Sequence, residues 1–184
     1  NPMLQRIGLD DTFRFTPEPF GAPVNPETRI TLHTEDDIFV DAGIPLGCDI
    51  YVWAGNWVNT GFDAHRTGVP GTPEGTEVFC TTSTAWAGWG VFSVGSNRTM
   101  SAYSNGYLKF WLKSTQALNL ELEGPQGTKS TKSVPSTTNN WLEFTYPISS
   151  FSEVQLTNMY GLFEITATGS TTNFVDNVRW TTTP

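Results

Sequence analysis

Trp111 is a large aromatic residue at a strand position that should face water. In Tyr107 to Lys113, Leu108, Phe110 and Leu112 alternate with Tyr107, Lys109, Trp111 and Lys113. A period of two buries the first set and leaves Trp111 on the wet face, beside Tyr107 and Lys109. An indole there offers a flat apolar surface to the CH face of a pyranose, and polar neighbours can bond its hydroxyls. A neighbouring segment lying over Trp111 would explain it equally well. Trp53, Trp57, Trp86 and Trp89 stand beside Gly and Asn, as residues near turns do. Loop tips are common sites of ligand contact, so these four are further candidates, although one or two fit packing at the ends of the fold. Tyr160 and Glu164 share one face of another apolar stretch whose opposite face holds Phe163 and Ile165. Asn119 and Glu121 are polar partners on a neighbouring candidate strand. Ordinary solvated positions are the more frequent case for a lone strand carboxylate.

Asp176 differs from these, because it lies in an apolar strand between Val175 and Val178. A buried carboxylate must be paired or must coordinate a cation. Arg179, a backbone donor or a metal would each serve. His33 and His65 are 32 residues apart and lack a metal-ligand spacing. Cys48 and Cys80 match no zinc or haem spacing; two buried free thiols and a disulfide both remain open. Asn97-Arg98-Thr99 is a formal glycosylation sequon that matters only in a source that glycosylates secreted chains.

Catalytic arrangements are weaker. A glycosidase needs two carboxylates flanking the scissile bond, roughly 5–10 Å apart. Glu121 and Glu123 lie two apart on one strand face, but an alternating acidic strand is also a common solvated surface. A lyase needs a base and cations against a uronate. Four lysines, six arginines and two separated histidines are a poor source of both. No Ser–His–Asp set has supporting motifs.

The elements that must position these residues read as short strands. Ile38 to Val40, Cys48 to Ala54, Thr76 to Thr82 and Gly88 to Val94 are rich in β-branched and aromatic residues and are bounded by Gly, Pro and Asn. Tyr107 to Lys113 and Ala117 to Glu123 alternate cleanly. Trp141 to Tyr146, Tyr160 to Thr166 and Thr172 to Trp180 complete the series, and Pro147 to Phe151 fits one helical turn. No stretch keeps a 3.6-residue period. Many short strands at regular spacing predict an all-β fold, a β-sandwich or jelly roll of two antiparallel sheets. Residues 1–35, with five prolines, read as a lead-in segment or a remnant of a preceding linker, and 36–184 as the domain. Phe79, Phe92, Phe110, Phe144, Phe163 and Phe174 fall on apolar or inward positions and read as core.

The 184 residues suit one domain with a sizeable core. Aromatics are 13% and charged residues only 15%, which excludes disorder. A net charge of −8 argues against nucleic acid and gives a mild steer away from polyanions, while a Lys109/Lys113 patch beside Trp111 keeps acidic or sulfated glycans open. No run approaches the ~20 apolar residues of a membrane span. Twenty-seven threonines against four lysines suit the solvent-facing strands of a secreted protein. The absence of an initiator Met suggests a fragment of a longer chain, and Thr181-Thr182-Thr183-Pro184 looks like the start of a linker.

The order of segments resembles a β-jelly-roll carbohydrate-binding module of the galactose-binding-like type, appended to secreted polysaccharide-degrading enzymes. The resemblance spans residues 36–181. It is carried by Ile38-Phe39-Val40-Asp41, Trp53-Ala54-Gly55-Asn56-Trp57, Glu74-Gly75-Thr76-Glu77-Val78-Phe79, Trp86-Ala87-Gly88-Trp89-Gly90, Met100-Ser101-Ala102-Tyr103, Gly106 to Lys113, Trp141 to Ile148 and Phe174-Val175-Asp176-Asn177-Val178-Arg179-Trp180. It implies a structural calcium site joining the first and last strands. Asp41, Glu74 or Glu77, and Asp176 match its acidic positions, and calcium takes such oxygen ligands.

The expectation is a secreted, monomeric, calcium-stabilised and non-catalytic module. It would bind a polysaccharide, neutral β-glucan first, through Trp53, Trp57, Trp86, Trp89, Tyr107, Lys109, Trp111 and Tyr160. It would tether a covalently linked catalytic module and bind neither nucleic acid nor membrane. The alternatives are a catalytic jelly-roll glycoside hydrolase or lyase, and a structural or adhesion β-sandwich.

Overall fold

Alternating apolar side chains force strands to bury one face, and two such sheets closing on each other give the fold. A computed structural model describes Gln5–Arg6, residues 35–41 and residues 43–184. Strands β1 (Gln5–Arg6), β3 (Cys48–Ala54), β6 (Ala87–Ser93), β11 (Gly161–Ala167), β8 (Leu118–Glu123) and β9 (Lys129–Val134) lie side by side in that order as sheet I. Strands β10 (Leu142–Pro147), β7 (Tyr107–Ser114), β12 (Thr171–Thr181), β5 (Val78–Ser83) and β4 (Thr60–Arg66) form sheet II, and β2 (Glu35–Phe39) pairs with β12. All pairings are antiparallel. The result is the β-sandwich that the strand pattern predicts. No helix among the described residues is long and apolar enough to cross a membrane.

Between the sheets, Ile50, Val52, Val91, Leu118, Leu120, Leu122, Phe163 and Ile165 meet Phe79, Leu108, Phe110, Leu112, Val175, Val178 and Trp180, all buried. Trp89 is wholly buried among them, stacked on Phe79 at 3.8 Å between ring centroids. That removes Trp89 from the ligand-contacting set: Gly88 and Gly90 flank it on the opposite face of β6, so it points inward. Trp180 is buried too, and its indole N–H donates to the Leu162 carbonyl at 3.0 Å.

The helical turn expected at Pro147 to Phe151 is a 3-10 turn over Ile148–Ser150. Strands β4 and β9 escape sequence reading for a physical reason. Both are edge strands, and Thr-Gly-Phe-Asp-Ala-His-Arg and Lys-Ser-Thr-Lys-Ser-Val carry the charge and polarity with which edges resist further pairing. Cys48 and Cys80 are both buried, and no disulfide joins them. Cys48 faces the inter-sheet core, whereas Cys80 lies outside that cluster, level with Asp63 of β4. The thiol reading holds and the disulfide does not. Within residues 1–35, only Gln5–Arg6 and Glu35 lie among the described residues.

β12 is the longest strand and carries two partners end to end on one edge. β5 pairs along Thr171–Val175 and β2 along Val178–Thr181. Between them the register shifts and Asn177 takes φ = 49°, so Asp176 sits where both neighbouring strands stop.

Candidate functional site

The outer face of sheet I is built in register. One row across five strands reads Tyr51, Gly90, Glu164, Glu121, Thr131, and the next reads Trp53, Gly88, Thr166, Asn119, Ser133. A third reads Asp49, Phe92, Gly161, Glu123, Lys129. Aromatics thus stand on β3, glycines form the middle, and polar groups occupy β8 and β9.

The glycines are required by close approach. A Cβ on Gly88 would meet the Ile165 carbonyl at 2.5 Å and the Trp53 indole nitrogen at 2.6 Å. One on Gly90 would meet Phe92 at 2.8 Å and the Glu164 side chain at 2.9 Å. Side chains lie across this bare backbone. Phe92 is the hub of the aromatic half, with ring centroids at 5.3 Å from Tyr51, 6.2 Å from Trp53 and 5.1 Å from Tyr160. The expectation that Phe92 belongs to the inter-sheet core is therefore corrected: it lies on the outer face of sheet I. Trp53 and Phe92 are nearly closed off, while Tyr51 and Tyr160 keep partial exposure.

In the polar half, the Lys129 ammonium reaches three carboxylates: Glu164 at 2.5 Å, Glu123 at 3.2 Å and Glu121 at 3.3 Å. Thr131 donates to Glu121 at 3.2 Å. Glu164 is completely buried, and among the described residues its Oε1 has no hydrogen-bond partner. Burial pushes its carboxyl up to about 8, against the opposing pull of Lys129 and with added repulsion from Glu123 and Glu121. Burial works against the charge of Lys129, yet the three carboxylates outweigh it and hold the ammonium above its ordinary value. Tyr160 is raised, first by burial and then by Tyr51, Glu123 and Glu164.

The eight aromatic and basic candidates are not brought together. Trp53 and Tyr160 are on this face. Tyr107, Lys109 and Trp111 are half-buried on the outer face of sheet II. There Lys109 pairs with Glu143 at 3.6 Å, Arg179 reaches the same carboxylate at 3.5 Å, and Trp111 lies in register between Glu143 and Asp176. Trp57 packs on Phe62 in a 3-10 turn, and the Trp86 indole lies against Gly55. Sequence reading missed Tyr51, Phe92 and Lys129. The available signal was the alternate pair Gly88 and Gly90 in β6, since glycine inside a strand marks close approach.

A second cluster forms at the break in β12. Asp41 follows β2, Glu74 precedes β5 and Asp176 lies between them, with carboxylate oxygens within 4.8 Å of one another. Asp41 is fixed by the Thr76 and Glu77 amides at 2.6 and 2.9 Å, its own amide donates to Glu74, and the Glu74 amide donates to Asp176. Asp176 Oδ1 is buried and has no hydrogen-bond partner among the described residues. Burial pushes Asp176 up to about 6; the Glu74 and Asn177 amides oppose this, and the charges of Glu74 and Asp41 add to it. Three hard oxygen donors and one unpaired buried oxygen fit a calcium-like cation. Glu77 is outside the set, because its carboxylate is engaged by His65 Nδ1 at 2.5 Å.

These features define the class as an antiparallel jelly-roll sandwich with an acidic clamp. Solved structures share that fold. A family 30 carbohydrate-binding module is 13% identical, with TM-score 0.59, over 82% of this chain and 88% of the other. The extra C-terminal domain of an exo-1,3/1,4-β-glucanase from a Pseudoalteromonas species is 12% identical, with TM-score 0.61, over 81% and 93%. A family 29 carbohydrate-binding module complexed with mannohexaose is 13% identical, with TM-score 0.55, over 81% and 92%. No family model and no curated protein matches the chain.

Proposed function

We propose that this chain is a non-catalytic carbohydrate-binding module that takes a neutral polysaccharide, β-glucan first, on the outer face of sheet I. One observation carries this reading: the registered sequence of aromatics, bare glycine backbone, carboxylates and lysine across that face. A sugar ring would rest on the exposed edges of Tyr51 and Tyr160, while Glu121, Lys129 and Asn119 bond its hydroxyls. Resemblance in fold to modules that include a mannohexaose-bound one supports it. The three carboxylates converge on one ammonium rather than flanking a gap, which favours binding over hydrolysis. In a secreted parent, such a module would hold a linked catalytic domain against its substrate.

Affinity electrophoresis and calorimetry with soluble β-glucans test this. Tyr51→Ala and Tyr160→Ala should each weaken binding about tenfold, as for loss of roughly 1–2 kcal/mol of ring contact, and Trp111→Ala should not. Loss of binding only in Trp111→Ala would move the site to sheet II. Release of reducing sugar would overturn the non-enzymatic reading.

Within the same reading, Asp41, Glu74 and Asp176 hold a structural Ca2+. The ion would supply the missing partner of Asp176 Oδ1 and tie the ends of β2 and β5 to β12. Calcium should raise Tm and EDTA lower it, and Asp176→Asn should abolish both responses. No movement of Tm in the parent protein would reject the ion.

A further inference from the structure

Away from the sheet I face, the end of sheet II opens into a hollow of about 800 Å³, within the range of small-ligand sites. Thr82 and Thr172, paired across β5 and β12, form its floor together with Phe174. Phe174, read from sequence as core, is instead half-buried on the outer side of sheet II, against Trp141 at 6.5 Å and the Lys113 ammonium at 5.9 Å. Asn59, Gln116 and Asn139 stand on its rims. Among the described residues, no charged side chain lines it.

Both rims are held by hydroxyl hubs, one buried and one part-buried. On one side, Ser114 and Thr137 are 0% and 2% exposed. The Ser114 amide donates to Thr137 Oγ1 at 2.8 Å, and the Thr137 and Asn139 amides donate back to the Ser114 carbonyl. Ser114 Oγ also accepts from the Gln116 amide at 3.2 Å and donates to the Gln116 carbonyl at 2.9 Å. This hub holds Thr138 and Asn139 at φ = 52° and 62°, a backbone state that only a well-determined loop sustains in two successive non-glycine residues. On the other side, Thr60 Oγ1 bonds Ser83 Oγ at 2.9 Å and donates to the Asn56 carbonyl, which closes the turn that presents Asn59.

The rigid parts stop at the backbone. Among the described residues, the side-chain amides of Asn59, Gln116 and Asn139 engage no hydrogen-bond partner. Three free amides on fixed backbones, each able to donate and accept, surround an aromatic floor in an uncharged hollow. We propose that this hollow is a second binding site, for an uncharged polyhydroxylated ligand such as a neutral oligosaccharide segment or chain end. An aromatic ring takes the CH face of one sugar, and the amides replace water on its hydroxyls. Preorganised rims lower the entropy lost on binding. The lining itself holds no cation for a charged uronate, and the nearby Lys113 ammonium already lies over the Phe174 ring, 5.9 Å from its centroid.

The test is an amide-resolved NMR titration with cellohexaose and laminarihexaose, using the intact chain with Tyr51→Ala and Tyr160→Ala combined to disable the sheet I face. Resonances of Gln116, Asn139, Ser170 and Thr172 should shift and saturate, with a Kd in the millimolar range or below. Adding Asn139→Gly and Gln116→Ala should weaken this at least about fivefold with Tm unchanged, as for loss of roughly one net hydrogen bond. Glycine tolerates the positive φ of residue 139, so that variant deletes the amide and keeps the loop. The absence of saturable shifts at these residues with either sugar overturns the site. So does equal binding by the rim variants, and tri-galacturonate binding as tightly as the neutral sugars overturns its ligand class. In the unsubstituted chain, shifts at the hollow without any on sheet I would sink the proposed function and leave this site standing.

Discussion

Glu164 carries the sharpest pH dependence among the described residues. Its folded value of about 8 stands above the ordinary 4.5, because burial costs more than Lys129 returns. Between those values the folded protein holds more protons than the unfolded chain. Stability contributed by this group therefore falls as pH rises from about 4.5 to 8. Glu164→Gln should flatten that slope, and urea unfolding at pH 5 and pH 8 reads it directly. A parent protein with no loss over this interval would contradict the burial argument. Lys129→Met removes the group that pulls Glu164 down, so the carboxyl should rise further and stay protonated at pH 8. The fall in stability should then continue to higher pH than in the parent, which urea unfolding extended above pH 8 would show.

Strand β6 shows how an element makes a face. Ala87, Trp89 and Val91 point inward, and Gly88 and Gly90 clear the other side for Trp53, Phe92 and Glu164. Gly88→Ala places a Cβ against the backbone carbonyl of Ile165, which cannot rotate away. The expected loss is about 1–3 kcal/mol, accompanied by weaker glucan binding as Trp53 is displaced. Gly169→Ala, whose Cβ meets nothing within 4 Å, should stay within about 0.5 kcal/mol. Thermal unfolding and calorimetry of the pair separate a packing effect from a general intolerance of alanine. Equal stability in both variants would remove the claim that β6 is a bare floor. Alternation alone identifies the inward residues of β7 and β8, and the bounds of β3 coincide with those read from composition. It does not resolve the faces of β3 and β6, because both faces of each are apolar. Trp53 and Trp89 are thus equivalent in sequence, although the fold turns one outward and one inward.

At the scale of the whole molecule, legibility follows the range of the interaction. Local composition and alternation reveal nine strands and the two-sheet architecture. The rows of the sheet I face and the meeting of Asp41, Glu74 and Asp176 depend on pairing between distant segments, which no local pattern encodes. Edge strands β4 and β9 are hidden for the converse reason, since their polarity exists to prevent pairing. Net charge is legible in composition, and the structure sharpens what it means. The chain carries −8, and the sheet I face sets one lysine among three carboxylates, so its local field is not basic. On sheet II, Lys109 is matched by Glu143. Neither cluster offers a polyanion the excess of cations that counter-ion exchange would need. Binding of a neutral glucan should therefore change less than about twofold between about 0.05 and 0.5 M NaCl, because screening acts only on charge–charge attraction. A pectate or sulfated glycan should bind at least about tenfold more weakly at low salt, through long-range repulsion from the acidic surface. Affinity electrophoresis on both polymer classes across that salt range measures both quantities. Tight, salt-sensitive retention on the anionic polymer would show that the lysines of β7 or β9 escape their carboxylates in solution, and would reverse the ligand class proposed for both faces.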